Sequence, residues 1–138
     1  TPNKATKEYF NLFQRYQKER HTGSSMSSMT YDEFKSMIEI SPVNTKLKEF
    51  RDHNNTLIGI MLFDQQKDGL SAVYSFYNLD LKKNGIGNFM ILDLLHLGKK
   101  LKLDFIYLGF YVRQALKMSY KLKFKPGELY FSGKWNKI

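Results

Sequence analysis

The sequence predicts a mixed α/β fold in which helices flank a mostly antiparallel sheet. Three features predict it. Leu57 to Phe63 (LIGIMLF) is an unbroken apolar run of strand length, and Asp68-Gly69 after it is a strong hairpin signal. Asn88 to Leu101 places Met90, Ile91, Leu94, Leu95, Leu97 and Leu101 at helical spacing, with Asp93, His96 and Lys100 on a polar stripe. Phe105 to Val112 (FIYLGFYV) is a second apolar strand, so a strand–helix–strand crossover follows an antiparallel hairpin.

The remaining elements follow in order. Thr6 to Arg20 reads as a helix whose stripe is Tyr9, Phe10, Phe13, Tyr16 and Gln17, and the run His21 to Ser25 ends it. Thr30 and Glu33 form a capping box for a second helix that stops near Ile40, before Ser41-Pro42. Lys46 to Asp52 is a short strand and His53 to Asn55 a turn. The hairpin's return strand is Leu70 to Tyr77. Strict alternation puts Leu70, Ala72, Tyr74 and Phe76 on one side and Ser71, Val73, Ser75 and Tyr77 on the other. A glycine-bearing loop spans Asn78 to Gly87. After the last apolar strand come a short helix, about Arg113 to Tyr120, and an extended segment to Phe131. This order resembles the acetyltransferase-like (GNAT) fold, in which two splayed strands hold an acyl donor.

Composition fits one folded domain over residues 1–138. The 138 residues are 42% hydrophobic and 15% aromatic, enough for a packed core and unlike a disordered tail. No apolar run has the length of a membrane helix, and no secretory leader opens the chain. The absence of cysteine excludes a disulfide scaffold and a thiolate metal site within it. A cytoplasmic home is the expectation, with no membrane or DNA partner. The net charge of +9 is concentrated: Lys99 to Ile138 carries ten basic and two acidic residues. Interleaved with Tyr107, Tyr111, Tyr120, Phe124 and Tyr130, that flank suits a polyanion such as RNA, or else is a solvated lysine-rich surface.

Three constellations carry chemistry. Lys82-Lys83-Asn84-Gly85-Ile86-Gly87 opens the long helix. Its glycines permit close backbone approach and the helix start offers N–H groups to an anion, although an ordinary glycine loop reads the same way. Asp64 ends the buried strand beside Ser71, Tyr74 and Tyr77, where a carboxylate could orient an amine or accept its proton, or simply cap a turn. Arg15, Arg20 and His21 gather at the end of the first helix, to grip a carboxylate or to complement the helix dipole. No pair of histidines has metal-ligand spacing, and no nucleophile elbow is present.

Several blocks together resemble the C-terminal domain of the arginyl/leucyl-tRNA–protein transferases, in a bacterial flavour. Phe13-Gln14-Arg15-Tyr16 with Arg20-His21 resembles the family's "YxRYxxxRH" opening. DGLSAVYSFYN at 68–78 resembles "DGLSSVYFFYD", NGIGNFMIL at 84–92 resembles "RSLGTFMIL", and YLGFYV at 107–112 resembles "YLGYYI". Lys117 to Lys121 with Phe124-Lys125-Pro126 resembles "KMxYKxxFxP", so the likeness runs from about Tyr9 to Trp135. The chain departs from the pattern at Asn84, Asn78-Leu79, Arg113-Gln114-Ala115 and Leu116.

The resemblance implies transfer of leucine or arginine from charged tRNA to the α-amine of proteins beginning with Asp or Glu, a step of the N-degron pathway. Aminoacyl-tRNA is then a co-substrate, and no cofactor or metal is needed. In the roles it implies, Asp64, Tyr74 and Tyr77 are catalytic, and Arg15, Arg20, His21 and Ser71 hold the acceptor's acidic N-terminus. Lys82, Lys83, Gly85, Gly87, Lys117, Tyr120 and Lys121 meet the tRNA, and a Tyr or Phe stacks on its terminal adenine. Family members also carry a Cys-bearing N-terminal region that is not in this chain, so the expectation is a C-terminal piece whose activity alone is open. Two alternatives remain: an N-acetyltransferase using acetyl-CoA, and a non-catalytic module that binds tRNA or acidic N-termini.

Overall fold

The computed structural model describes residues 3–20, 28–109 and 116–138. They fall into two compact units, Thr1–Tyr107 and Leu108–Ile138.

The first unit begins with helix α1 (Lys7–Arg20), which buries Tyr9, Phe10, Phe13, Tyr16 and Gln17, the stripe set by helical spacing. Helix α2 (Tyr31–Glu39) starts at the capping box: Thr30 accepts from the Glu33 backbone N–H, and the Glu33 side chain accepts from the Thr30 N–H. Strands β1 (Thr45–Arg51), β2 (Leu57–Gln65) and β3 (Gly69–Tyr77) follow as an antiparallel meander. A 3-10 helix (Leu79–Asn84), helix α3 (Ile86–Lys100) and strand β4 (Phe105–Tyr107) complete the unit. The sheet order is β1-β2-β3-β4, and β4 lies parallel to β3. The predicted mixed sheet is therefore present, with the crossover through α3.

β4 pairs with β3 only at Gly69, Leu70 and Ser71. Beyond Ser71 no described strand covers that edge of β3. β4 pairs along its whole length with the first residues of β3, and past Ser71 the two share no further pairing among the described residues. Gly69 is required by this pairing rather than by the turn: a Cβ there would sit 2.3 Å from the Phe105 carbonyl oxygen. The sequence extends the last strand of this unit to Val112, but β4 stops at Tyr107, and residues 110–112 lie outside the described ones.

The two faces of the sheet are covered differently. Phe13 of α1 and Phe34 of α2 meet Phe76 on one face, with ring centroids 5.4 and 6.0 Å away. On the other, a Cβ at Gly59 would lie 3.1 Å from Met90 Sδ of α3, Phe50 meets Phe89 at 6.1 Å, and Lys48 pairs with Asp93. No described helix is long and apolar enough to cross a membrane.

One irregularity rearranges the faces. Leu62 pairs with Tyr74 and Phe63 with Ala72, so Val73 has no partner and forms a β-bulge in β3. The strict alternation read from the sequence, which separates Ser71 from Tyr74, fails here. The extra residue returns Ser71, Tyr74 and Phe76 to one face, with Ser75 and Tyr77 on the other.

The second unit holds a 3-10 helix (Leu116–Lys123) and an antiparallel hairpin, β5 (Glu128–Phe131) and β6 (Lys134–Lys137). The predicted helix near 113–120 is a 3-10 helix where described, and the extended segment to Phe131 doubles back. Ser132 and Gly133, at φ 53° and 78°, form a two-residue turn with both positions left-handed.

Candidate functional site

Asp64 sits near the end of β2, between Thr45 on β1 and Ser71 on β3. Paired residues in adjacent strands share a face, so these three side chains form a row on the α1/α2 side of the sheet. Thr45 Oγ1 donates to Asp64 Oδ1, and Thr45 lies 2.7 Å from Ser41 Oγ. Among the described residues Asp64 Oδ2 has no hydrogen-bond partner. Beside this carboxylate is a pocket of about 310 Å³ lined by Met37 and Ile40 of α2, Ser41, Val43, Thr45, Leu62, Asp64, and the bulge residues Val73 and Tyr74. The bulge is what brings Tyr74 to Asp64.

Tyr74 reaches from the pocket to α1, where its hydroxyl accepts from Gln17 Nε2. Gln17 is 1% exposed, and its Oε1 has no partner among the described residues. The Tyr74 hydroxyl and the Gln17 amide thus tie β3 to α1. Burial pushes the Tyr74 hydroxyl up to about 12, outweighing the opposing effect of Gln17. At neutral pH Tyr74 is therefore a hydrogen-bond donor and not a base.

Tyr77 belongs to the opposite end and the opposite face of β3. It pairs with Gly59, five residues along β2 from Asp64, which is roughly 17 Å at a strand's rise. Its ring lies 5.1 Å from that of Tyr16, and a Cβ at Gly87 would sit 3.3 Å from its hydroxyl. Tyr16 is buried, which raises its hydroxyl pKa despite the opposing charge of Arg20. The expected group of Asp64, Ser71, Tyr74 and Tyr77 thus divides: three share one face and one end, and Tyr77 joins α3.

Where the sequence suggests a loop over Asn78 to Gly87, the chain forms the 3-10 helix Leu79–Asn84, and α3 starts at Ile86, so Gly87 lies in its first turn. Asn78 caps the 3-10 helix that carries Lys82 and Lys83, and Lys82 is exposed. Gly85, at φ 73°, turns the chain from that helix into α3 and leaves the α3 start without a side-chain cap. Its first N–H groups and the positive end of the helix dipole are thus not taken by a capping side chain.

The cationic cluster on α1 is less uniform than its spacing suggests. Arg15 is already engaged, at 3.1 Å from Glu19 and 2.6 Å from Asp80. Arg20 stands over the Tyr16 ring at 6.0 Å and has no ion pair among the described residues. His21 lies outside the described residues. Lys117, Tyr120 and Lys121 fall in the 3-10 helix of the second unit, where burial lowers the Lys121 pKa. No group of three His, Asp or Glu that could hold a metal occurs among the described residues.

Sequence reasoning missed Gln17, Thr45 and Val73 as site residues. Gln17 carried a signal, being an amide inside an otherwise aromatic stripe. Thr45 and Val73 carried none, because their places follow from register and from the bulge.

Solved structures with this fold include the tetramutant of the BH1408 protein from Bacillus halodurans, with a TM-score of 0.58 and 15% identity over 96% of this chain and 97% of that one. Among proteins of similar sequence are the aspartate/glutamate leucyltransferases of Paramagnetospirillum magneticum and Granulibacter bethesdensis. Each is 41% identical over 99% of this chain, which covers 56% and 51% of their respective lengths. The corresponding protein of Rhodospirillum rubrum is 41% identical over 97% of the chain and 55% of its own. The chain thus spans about half the length of the relatives it matches. Residues 8–131 match the family described as arginine-tRNA-protein transferase, C terminus. The chain belongs to that family.

Proposed function

We propose that this chain forms part of a transferase that moves leucine from charged tRNA to the α-amine of a protein beginning with Asp or Glu. The observation that carries this is the likeness, over nearly the whole chain, to proteins named aspartate/glutamate leucyltransferase. The reaction belongs in the cytoplasm, where charged tRNA is found.

The chemistry needs little from the protein beyond placement. The acceptor nitrogen attacks the ester carbonyl, a C–N bond forms, the C–O bond to the tRNA ribose breaks, and the amine's proton ends on the departing ribose oxygen. A free α-amine titrates near ~8, so much of it is already nucleophilic at neutral pH. Holding the two substrates in line therefore contributes more than a strong base. In this reading Tyr74, which stays protonated at neutral pH, would donate to the carbonyl oxygen as charge gathers there.

Arg20 is better suited than Arg15 to the acceptor's acidic side chain, because Arg15 is neutralised by Glu19 and Asp80. Tyr77 and Gly87 bring β3 up to the α3 start, which suits a phosphate of the tRNA end, with Lys82 adding charge at the loop. The second unit's Lys117, Tyr120 and Lys121 would add salt-dependent, sequence-independent attraction.

The test supplies the full-length protein with an Asp-starting peptide, labelled leucyl- or arginyl-tRNA, and labelled acetyl-CoA in a separate arm. Leucine label in the peptide is the expected result. Label from acetyl-CoA alone would overturn the proposal in favour of an acetyltransferase. Binding of both substrates without transfer would replace it with a binding module.

A further inference from the structure

We infer that the Asp64 pocket holds the aminoacyl group of the donor and not the N-terminus of the acceptor. In this arrangement Asp64 is the counter-ion of the donor's α-ammonium, and Met37, Ile40, Val43, Leu62 and Val73 surround its aliphatic side chain. The inference rests on the transferase reading above.

Charge is the first argument. Among the described residues the one charged side chain lining the pocket is Asp64, and no Lys or Arg lines it. An acceptor beginning with Asp or Glu would bring a second carboxylate beside Asp64, an unfavourable pairing. The donor brings no carboxylate, because its own is esterified to the tRNA.

Protonation is the second. A carboxylate beside an amine favours the ammonium form, which has no lone pair to attack with. For the acceptor that is inhibitory. The donor's amine takes no part in bond formation, so it can stay protonated and paired. Asp64 is ready for this: Thr45 holds Oδ1, and Oδ2 has no partner among the described residues.

Size and lining are the third. At about 310 Å³ the pocket lies at the small end of ligand pockets, suited to an amino acid rather than to a nucleotide or coenzyme. Its apolar rim is open: Ile40, Val43 and Val73 are 74%, 57% and 52% exposed. An aliphatic side chain laid there would cover them. A guanidinium would need a second carboxylate, because the α-ammonium takes the one the pocket has. The pocket thus favours leucine over arginine. Tyr74 lines the same pocket, so its ring adds to the wall around the aliphatic side chain.

The test uses the full-length protein with an Asp-starting peptide and two donors: leucyl-tRNA, and tRNA carrying the α-hydroxy analogue of leucine. The analogue keeps the ester and side chain but lacks the ammonium. The wild-type protein is expected to prefer leucyl-tRNA by on the order of 10- to 100-fold in kcat/KM. Asp64→Asn should abolish most of that preference and leave the KM for the peptide within about two-fold. Val73→Trp, at an exposed bulge position, should fill the pocket and lower leucine transfer while peptide affinity is retained. Preference undiminished in Asp64→Asn, a rise in the peptide KM, or full leucine transfer by Val73→Trp would each overturn the inference. Absence of transfer by the wild-type protein from either donor would instead strike the transferase reading itself.

Discussion

Near its start strand β3 sets Ser71 beside Asp64, and it ends with Tyr77 against Gly87. Ser71 lies on the α1/α2 face, the nearby charged group is the Asp64 carboxylate, and a small apolar pocket opens beside it. Tyr77 lies on the α3 face, beside an uncapped helix start that follows the lysine-bearing 3-10 helix. A cation-seeking end and an anion-seeking end thus lie on one strand, on opposite faces. Charged tRNA has both halves of the complement: an ammonium on an aliphatic amino acid, and phosphates a short distance away.

The largest expected effect comes from removing what both ends share. Phe76 is 0% exposed and lies between Phe13, Phe34 and Tyr74. Phe76→Ala should cost about 3–5 kcal/mol of stability in urea unfolding and weaken both ends together. A loss below about 1 kcal/mol would mean that this cluster does not fix β3.

Tyr74→Phe sharpens the comparison at one end. It leaves both polar atoms of the buried Gln17 amide without a protein partner, at a cost of about 1–3 kcal/mol. It also removes part of the protein's alkaline sensitivity. The Tyr74 pKa is raised from 10.0 to about 12, so the stability linked to its proton is fully present below pH 10 and is lost as pH rises toward 12. Tyr9, raised to about 12 chiefly by burial, contributes in the same window. Urea unfolding at about pH 9 and pH 11 should therefore show a smaller loss in Tyr74→Phe than in the wild type. An identical loss would place the Tyr74 hydroxyl in solvent.

The smallest effect is expected from Lys82→Ala at the other end. The side chain is exposed, so stability should change by less than about 0.5 kcal/mol. tRNA affinity should fall a few-fold, with the salt dependence shallower by roughly one ion. Unchanged salt dependence would remove Lys82 from the tRNA path.

Much of this was legible in the sequence. The stripe of α1, the Thr30–Glu33 box and the apolar run of β2 each obey local rules, and local rules fix helices and buried strands. The crossover through α3 followed from element order. The pocket did not, because it depends on one unpaired residue. Period-two alternation from Ser71 puts Tyr74 on the wrong face, and nothing in Ser71-Ala72-Val73-Tyr74 announces that Val73 drops out of register. Gly69 also read correctly for an incomplete reason: the hairpin is there, but the close carbonyl of Phe105 is what excludes a side chain. Arg15 and Arg20 look alike in sequence, but Arg15 pairs with Glu19 four residues on and with Asp80 sixty-five residues on, and the second of these follows only from the fold.

The claim that the two ends of β3 serve two parts of one substrate is tested most directly by a crossed binding experiment. Dissociation constants for uncharged tRNA and for leucyl-tRNA would be measured on the full-length protein, on Asp64→Asn and on Gly87→Val. Asp64→Asn should bind uncharged tRNA normally and lose the extra affinity that the leucyl group confers. Gly87→Val, whose added methyls press on the Tyr77 hydroxyl, should weaken both tRNAs equally and keep that extra affinity. Equal losses for both tRNAs in both variants would contradict the account and make the two ends a single site.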